Sequence, residues 1–335
     1  MKNGPTAKSD RVVLADIGGT NARFAVMDRG TIGPIEHLRV ADFAGAPEAI
    51  AAFLARHAAG GPPTAAVLGV AGPVENNRCI ITNSQWIIDG VELQKLFGFA
   101  TVHLLNDFEA LGWSLPALQP ADLFAVGERR PAPMGPMLAV GPGTGFGAAC
   151  FLPGSAQSLV AVTEAGHATL PATLEREEQV IGELRRRFGH VSIERVLSGT
   201  GLENLYQALA AVDGVAAPDR DAGGITEAAL DGSCGISRAA LDMFCSWLGA
   251  VAGNLALTFC ARGGVFIAGG IVPRFTDWFA QSTFREQFES KGRYQSYLAK
   301  IPTSVIVMPD ASFIGLKAFF ERNVAVDGVS AVVGR

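Results

Sequence analysis

Six short stretches of this chain have residue types and spacings suited to chemistry on phosphates and hydroxyls. Asp16-Ile-Gly-Gly-Thr-Asn21 closes an apolar run with a carboxylate followed by two glycines. A glycine pair lets backbone N–H groups approach an anion closely, and Thr20 and Asn21 add neutral donors. Asp16 can serve the divalent cation of a nucleotide phosphate, directly or through water. Gly141-Pro-Gly-Thr-Gly-Phe-Gly147 offers a second backbone cradle. Val265-Phe-Ile-Ala-Gly-Gly-Ile271 ends a buried-type strand in Gly269-Gly270, which suits close packing on a flat ring such as adenine. Asn106-Asp107 follow an apolar run, where α/β folds present catalytic groups. Asp107 is therefore a candidate general base, or simply the cap of a helix over Phe108–Gly112. Glu164-Ala-Gly-His167 puts a carboxylate and an imidazole on one turn, and Glu194-Arg195 precede Val196-Leu-Ser-Gly-Thr-Gly201. A structural histidine and a salt-bridged surface glutamate are the plainer readings of His167 and Glu194.

These groups need a scaffold, and the hydrophobic pattern supplies one. Val12–Asp16, Arg23–Met27, Ile35–Val40, Ala65–Val70 and Thr101–Leu105 read as strands. Helices are expected at Pro47–Ala58, Gly90–Phe97 and Phe108–Gly112. A break at Ser114–Ala121 contains two prolines and marks a boundary near residue 117. Beyond it, Met137–Val140, Phe146–Phe151, Leu159–Thr163, Val265–Ala268 and Val305–Met308 read as strands. Glu175–Phe188, Gly201–Ala211, Thr226–Leu230, Ser237–Ala261 and Phe313–Phe320 carry helical periodicity. The alternation is α/β wiring. Leu14–Thr20 also aligns with Leu138–Thr144 as a weak internal repeat, with Asp16 facing Val140. One carboxylate in a duplicated cradle suits a polyphosphate with its metal at one end.

The common nucleotide signatures are absent. A GxGxxG register from Gly141 ends on Phe146, and one from Gly143 ends on Ala148 but runs into a strand where a Rossmann fingerprint opens a helix. No Gly-Lys pair exists for a Walker A loop.

Composition narrows the class further. The chain has 335 residues, 49% hydrophobic and 18% charged, with 40 glycines and 18 prolines. Glycine exceeds the usual ~7% without any collagen period, so it serves folded backbone. A net charge of −5 without a basic block argues against nucleic-acid binding. Five scattered cysteines without a CxxC pair fit free thiols in a reducing compartment. No signal peptide is expected from MKNGPTAKSD. Met243–Ala261 carries no charge and is long enough to span a bilayer. Its Ser246, Asn254, Thr258, Gly249 and Gly253 favour a helix buried in a large domain instead.

Taken together, DIGGTNARFAV, LLNDFEA, GPGTGFG, TEAGH, IERVLSGTGLENLY and GGVFIAGGIVPRF occur in order between about Val12 and Phe320. This set closely resembles the bacterial ATP-dependent glucokinases of the hexokinase, actin and heat-shock ATPase superfamily. The resemblance implies a two-domain actin-like ATPase (ribonuclease H-like) α/β fold with a cleft between a small and a large domain. The small domain would be 8–117, completed by a C-terminal helix at 309–325, and the large domain 118–308. It implies ATP and Mg2+, with Ala15, Asp16, Ile17, Gly18, Gly19 and Thr20 as first phosphate loop and Asp16 near the magnesium. Gly141, Gly143, Thr144 and Gly145 would form the second loop, and Gly269 and Gly270 part of the adenosine pocket. Asp107 would be the catalytic base, with Asn106, Asp107, Glu164, His167 and Glu194 around glucose. A cytoplasmic homodimer that feeds glycolysis, without nucleic-acid or membrane partners, is the expected setting. Ala165 stands where glycine is frequent in that family, and Thr200 where proline is common. A kinase of another hexose, a sugar-responsive regulator and a filament or chaperone-like ATPase are the competing readings.

Overall fold

The computed structural model describes residues 11–128 and 133–324. They divide into two compact units, one ending at Ala117 and resuming at Pro309, the other spanning Leu118–Met308.

The first unit is built on strands β1 (Arg11–Ile17), β2 (Asn21–Asp28), β3 (Thr31–Ile32) and β4 (Glu36–Arg39). Helix α1 (Ala46–Arg56) and strand β5 (Ala65–Val70) follow, then β6 (Val74–Glu75), β7 (Arg78–Ile80) and β8 (Ile87–Asp89). Helix α2 (Gly90–Phe97), strand β9 (Thr101–Asn106) and helix α3 (Asp107–Ser114) complete the N-terminal part. The main sheet has the order β3-β2-β1-β5-β9, with β4 also on β2. β1 and β2 form an antiparallel hairpin, whereas β5 and β9 run parallel to β1. Parallel strands are covered on both faces and read as continuous apolar runs, and all six residues of β5 are buried. Pro47 lies in the first turn of α1, which buries Ala46, Ala49, Ile50 and Phe53. Phe53 stacks on Phe24 of β2 with centroids 5.4 Å apart. The small β6-β7-β8 sheet is not apparent in the sequence, because two- and three-residue strands leave too little alternation to detect.

The second unit contains β10 (Leu123–Val126), β11 (Met137–Pro142), β12 (Phe146–Leu152) and β13 (Leu159–Thr163). Helices α4 (Glu175–Phe188), α5 (Gly199–Asp213), α6 (Ala222–Leu230) and α7 (Gly235–Thr258) follow. Strand β14 (Gly264–Ile267), helices α8 (Thr276–Gln281), α9 (Phe284–Glu289) and α10 (Gln295–Leu298), and strand β15 (Thr303–Ile306) close it. Its sheet order is β10-β15-β14-β11-β12-β13. Here too a hairpin, β11–β12, has a parallel strand beside its first member. The Leu14–Thr20 and Leu138–Thr144 repeat thus falls on equivalent hairpins of the two sheets. β15 ends two residues before the expected Met308, because its pairing with β10 stops at Ile306 opposite Leu123.

The apolar run around Met243 is part of α7, which is long and apolar enough to cross a membrane but is mostly buried within this unit. Phe244, Trp247 and Leu248 are fully enclosed in its core. A side chain at Gly249 or Gly253 would strike the carbonyl oxygens of Phe284 and Phe288, so these glycines let α9 lie directly on α7.

After β15 the chain returns to the first unit as helix α11 (Ala311–Phe319). Gly315 makes this packing possible, since a Cβ there would overlap the Ala110 carbonyl of α3.

Candidate active site

In the first unit the chemistry gathers where β1, β5 and β9 end. Asp16 is the penultimate residue of β1 and lies in register opposite Arg23. Its Oδ2 accepts from Arg23 Nη2 and from Ser312 Oγ in the first turn of α11. Arg23 also binds Asp310 with its other terminal nitrogen. Both donors to Asp16 address Oδ2, and among the described residues no hydrogen bond engages Oδ1. One carboxylate plus phosphate oxygens and water is the donor set magnesium takes, so Asp16 fits that ion.

Ala15 and Ile17 are buried inside β1, paired with β2 on one side and β5 on the other. The N–H groups that the turn at 18–20 can offer are therefore those of Gly19 and Thr20, because Gly18 N–H is used within the turn. It is pinned by Gly18 N–H to Asn21 O at 2.9 Å and by Val40 N–H to Thr20 O at 2.9 Å. A Cβ on Gly19 would lie 2.6 Å from the Thr82 carbonyl oxygen, so the loop after β7 supports the turn from behind.

β9 delivers Asn106 and Asp107. The capping role falls to Asn106, whose Oδ1 accepts the Phe108 N–H at 2.9 Å. Its Nδ2 donates to Gly72 O at 3.2 Å, which fixes the amide orientation. Asp107 is the first helical residue, and its Oδ1 shares the Phe108 N–H at 2.9 Å. Burial, then the negative charge of Asp16, push the Asp107 carboxyl up to about 6, against the pull of the nearby N–H groups and Asn106. The buried Cys79 thiol, pushed up to about 11 by burial and the Asp107 charge, stays neutral beside it.

The second unit assembles the remaining candidates around the β11–β12 turn. Gly141 belongs to β11 and pairs with Gly147, so Gly143, Thr144 and Gly145 form the connecting loop, with Thr144 exposed at its tip. Gly143 N–H closes it on Gly145 O at 2.8 Å, and a Cβ on Gly143 would meet nothing within 4 Å. Gly199, the first residue of α5, donates to Gly143 O at 2.9 Å. Ser198 caps the same helix by accepting from Gly201 N–H at 2.9 Å. Gly269, at φ +84°, lies against Pro142 O, where any side chain would clash, and Gly270 faces open space. The second loop and the candidate adenosine glycines are thus adjacent.

Glu194 borders the same loop, its Oε2 accepting the Phe146 N–H at 2.8 Å. Its own N–H donates to Gly166 O at 2.9 Å, which ties it to the turn bearing Glu164 and His167. Those two side chains are 70% and 66% exposed, with Oε2 and Nε2 3.8 Å apart. Glu194 is therefore no surface ion pair but a ligand of backbone, and Glu164 and His167 point to solvent.

Arg23, Asp310, Ser312, Gly72 and Cys79 were not anticipated. Arg23 was within reach of sequence reasoning, because a hairpin turning at Gly18–Thr20 sets residue 23 opposite residue 16. Nothing local marks Asp310 or Ser312.

The Glucokinase family model matches residues 13–323. A glucokinase of Paramagnetospirillum magneticum is 45% identical over 311 residues, covering 92% of this chain and 97% of that one. A glucokinase from an Antarctic psychrotroph, solved by crystallography, superposes with a TM-score of 0.85 at 35% identity, covering 93% and 99%. A ROK family glucokinase from Streptomyces griseus, solved with glucose and AMPPNP, shares the fold at 20% identity and a TM-score of 0.59, covering 92% and 98%. With a family match over nearly all of the described residues, and with two glycine turns and paired Asn106-Asp107 at the strand ends, this chain belongs to the glucokinase family.

Proposed function

We propose that the protein transfers the γ-phosphoryl group of ATP to the 6-hydroxyl of glucose, giving glucose 6-phosphate for glycolysis. The observation that carries this reading is Asp107, a partly buried carboxylate held at the start of α3 with its basicity raised to about 6. A base in that range is ionised at neutral pH yet strong enough to take a proton in the transition state. In the reaction, the sugar oxygen bonds to the γ-phosphorus as the bond to the β-phosphate oxygen breaks. The hydroxyl proton passes to Asp107.

Asn106 orients the sugar beside the base, and Glu164, His167 and Glu194 accept or share hydrogen bonds with its other hydroxyls. A site that hydrogen-bonds each hydroxyl rejects analogues lacking one. Gly19, Thr20, Thr144 and Gly145 bind phosphate through main-chain donors, Gly18 and Gly143 close the two turns with their own N–H groups, and Gly269-Gly270 pack on adenine. Asp16 would hold Mg2+, which would offset the charge that develops on the phosphates.

The fold is read as an actin-like ATPase, with a small domain at 8–117 plus 309–325 and a large domain at 118–308. A cytoplasmic homodimer without nucleic-acid or membrane partners completes the proposal. Five unpaired thiols and the net charge of −5 support that setting.

A coupled assay with ATP, Mg2+ and a panel of hexoses tests the reading. Glucose should turn over best. No product from glucose, with rapid turnover of another hexose, would sink the assignment.

A further inference from the structure

Asp310 stands immediately before α11 with φ +56° and ψ +31°, a left-handed conformation uncommon outside glycine. An aspartate there would ordinarily cap its own helix, yet its side chain makes no cap hydrogen bond. It binds Arg23 instead, and Arg23 binds Asp16. Two residues on, Ser312 is 8% exposed and donates to the same Asp16 oxygen that Arg23 holds. Asp16 and Ser312 are 296 residues apart in sequence, and Arg23 and Asp310 are 287 apart. A left-handed residue and an unused cap at one helix start, with Asp310 bound to Arg23 and Ser312 bound to Asp16, call for a reason beyond folding.

We propose that Ser312 and Asp310 are positioning residues for phosphoryl transfer: Ser312 fixes Asp16 directly, and Asp310 fixes it through Arg23, so that Oδ1 is presented to the cation of the nucleotide. The inference rests on the reading that Asp16 serves that cation. Outer partners that orient a liganding carboxylate tune cation affinity without touching the ion. Asp310 also keeps Arg23 from closing wholly on Asp16, since the guanidinium is divided between two carboxylates. The start of the C-terminal helix thus becomes part of the nucleotide machinery of the first unit.

The test is a Mn2+ titration of the full enzyme with a non-hydrolysable ATP analogue, read by electron paramagnetic resonance, which needs no turnover. Ser312→Ala should weaken Mn2+ by about tenfold, with a smaller loss in Asp310→Asn. Asparagine tolerates the left-handed backbone, so the second variant keeps the fold. Ser312→Thr, which retains the hydroxyl, should recover most of the affinity, and the KM for glucose should stay unchanged throughout. Wild-type Mn2+ affinity in both Ser312→Ala and Asp310→Asn would overturn the proposal, whatever their melting temperatures. Asp16→Asn separates the two levels. If it too binds Mn2+ like the wild type, the cation reading of Asp16 has failed; if it alone loses Mn2+, only the positioning role has.

Discussion

The two units hold their polar groups in opposite ways. In the first, Asp16 is 12% exposed and gripped by Arg23 and Ser312, and Asp107 is enclosed enough for its basicity to rise. In the second, Glu164 and His167 stand 70% and 66% exposed, and only Glu194 is anchored, by one backbone N–H. The difference separates two tasks. Proton transfer and cation binding need a carboxylate whose environment is fixed before substrate arrives, because desolvation and neighbouring charge set its basicity. Recognition of hydroxyls needs groups that water can leave and a ligand can reach. On the proposed reading, the first unit holds the proton acceptor and the cation ligand in enclosed positions, and the second holds the exposed hydroxyl-binding groups Glu164 and His167.

The largest effect expected from that contrast is at Asp107. Asp107→Asn should lower kcat by ~10²–10⁴-fold while the protein stays folded. In the wild type, kcat/KM should fall as pH drops through about 6, because the base becomes protonated below that value. Near wild-type turnover in the variant, measured in the coupled assay, would break the comparison at its centre.

On the recognition side, Glu164→Gln should raise the KM for glucose by roughly 10-fold to 100-fold, the worth of one charged hydrogen bond. Its melting temperature should not move, since the side chain is 70% exposed. A comparable loss in kcat with KM unchanged would mean that Glu164 belongs to the chemistry instead.

The two phosphate turns give a third contrast. Gly19→Ala should cost about 1–3 kcal/mol in a denaturant titration, because the Thr82 carbonyl behind it is backbone and cannot step aside. Gly143→Ala meets open space, so it should leave stability alone and raise the KM for ATP.

The smallest effect is thermodynamic. The Asp107 carboxyl lies at about 6 in the folded state against 3.8 for an ordinary aspartate, so the native state favours its protonated form. Ionising it therefore opposes folding fully above pH 6 and not at all below the unfolded value. Asp107→Asn should accordingly stabilise the protein at pH 8 by about 1–2 kcal/mol after allowance for partial exposure, with the gain fading toward pH 4. A loss of stability at pH 8 would show that its hydrogen bond to Phe108 outweighs the burial of charge.

Much of the scaffold was legible because its elements are long and periodic. Ala65–Val70, Gly90–Phe97, Leu159–Thr163 and Glu175–Phe188 coincide with their expected bounds. The α7 run is long and apolar enough for a membrane span by composition, and packing on α5, α6 and α9, where Gly249 and Gly253 meet the carbonyls of Phe284 and Phe288, gives its apolar surface an address. Asp107 read as a base with the helix cap as its plainer alternative; that Asn106 does the capping depends on where β9 stops, a one-residue matter that propensity does not resolve.

The sequence by itself determined which groups are available: the glycine turns, Asn106-Asp107, Glu164 and His167, each following a strand whose apolar pattern places it there, and Glu194 in the stretch before α5. Tertiary structure decided their state. It chose Asp16 Oδ2 as the tethered oxygen, brought Ser312 and Asp310 to it from the far end of the chain, and raised the basicity of Asp107. Those outcomes depend on burial, on charge at a few ångströms and on contacts between residues nearly three hundred positions apart. Local sequence encodes none of these quantities.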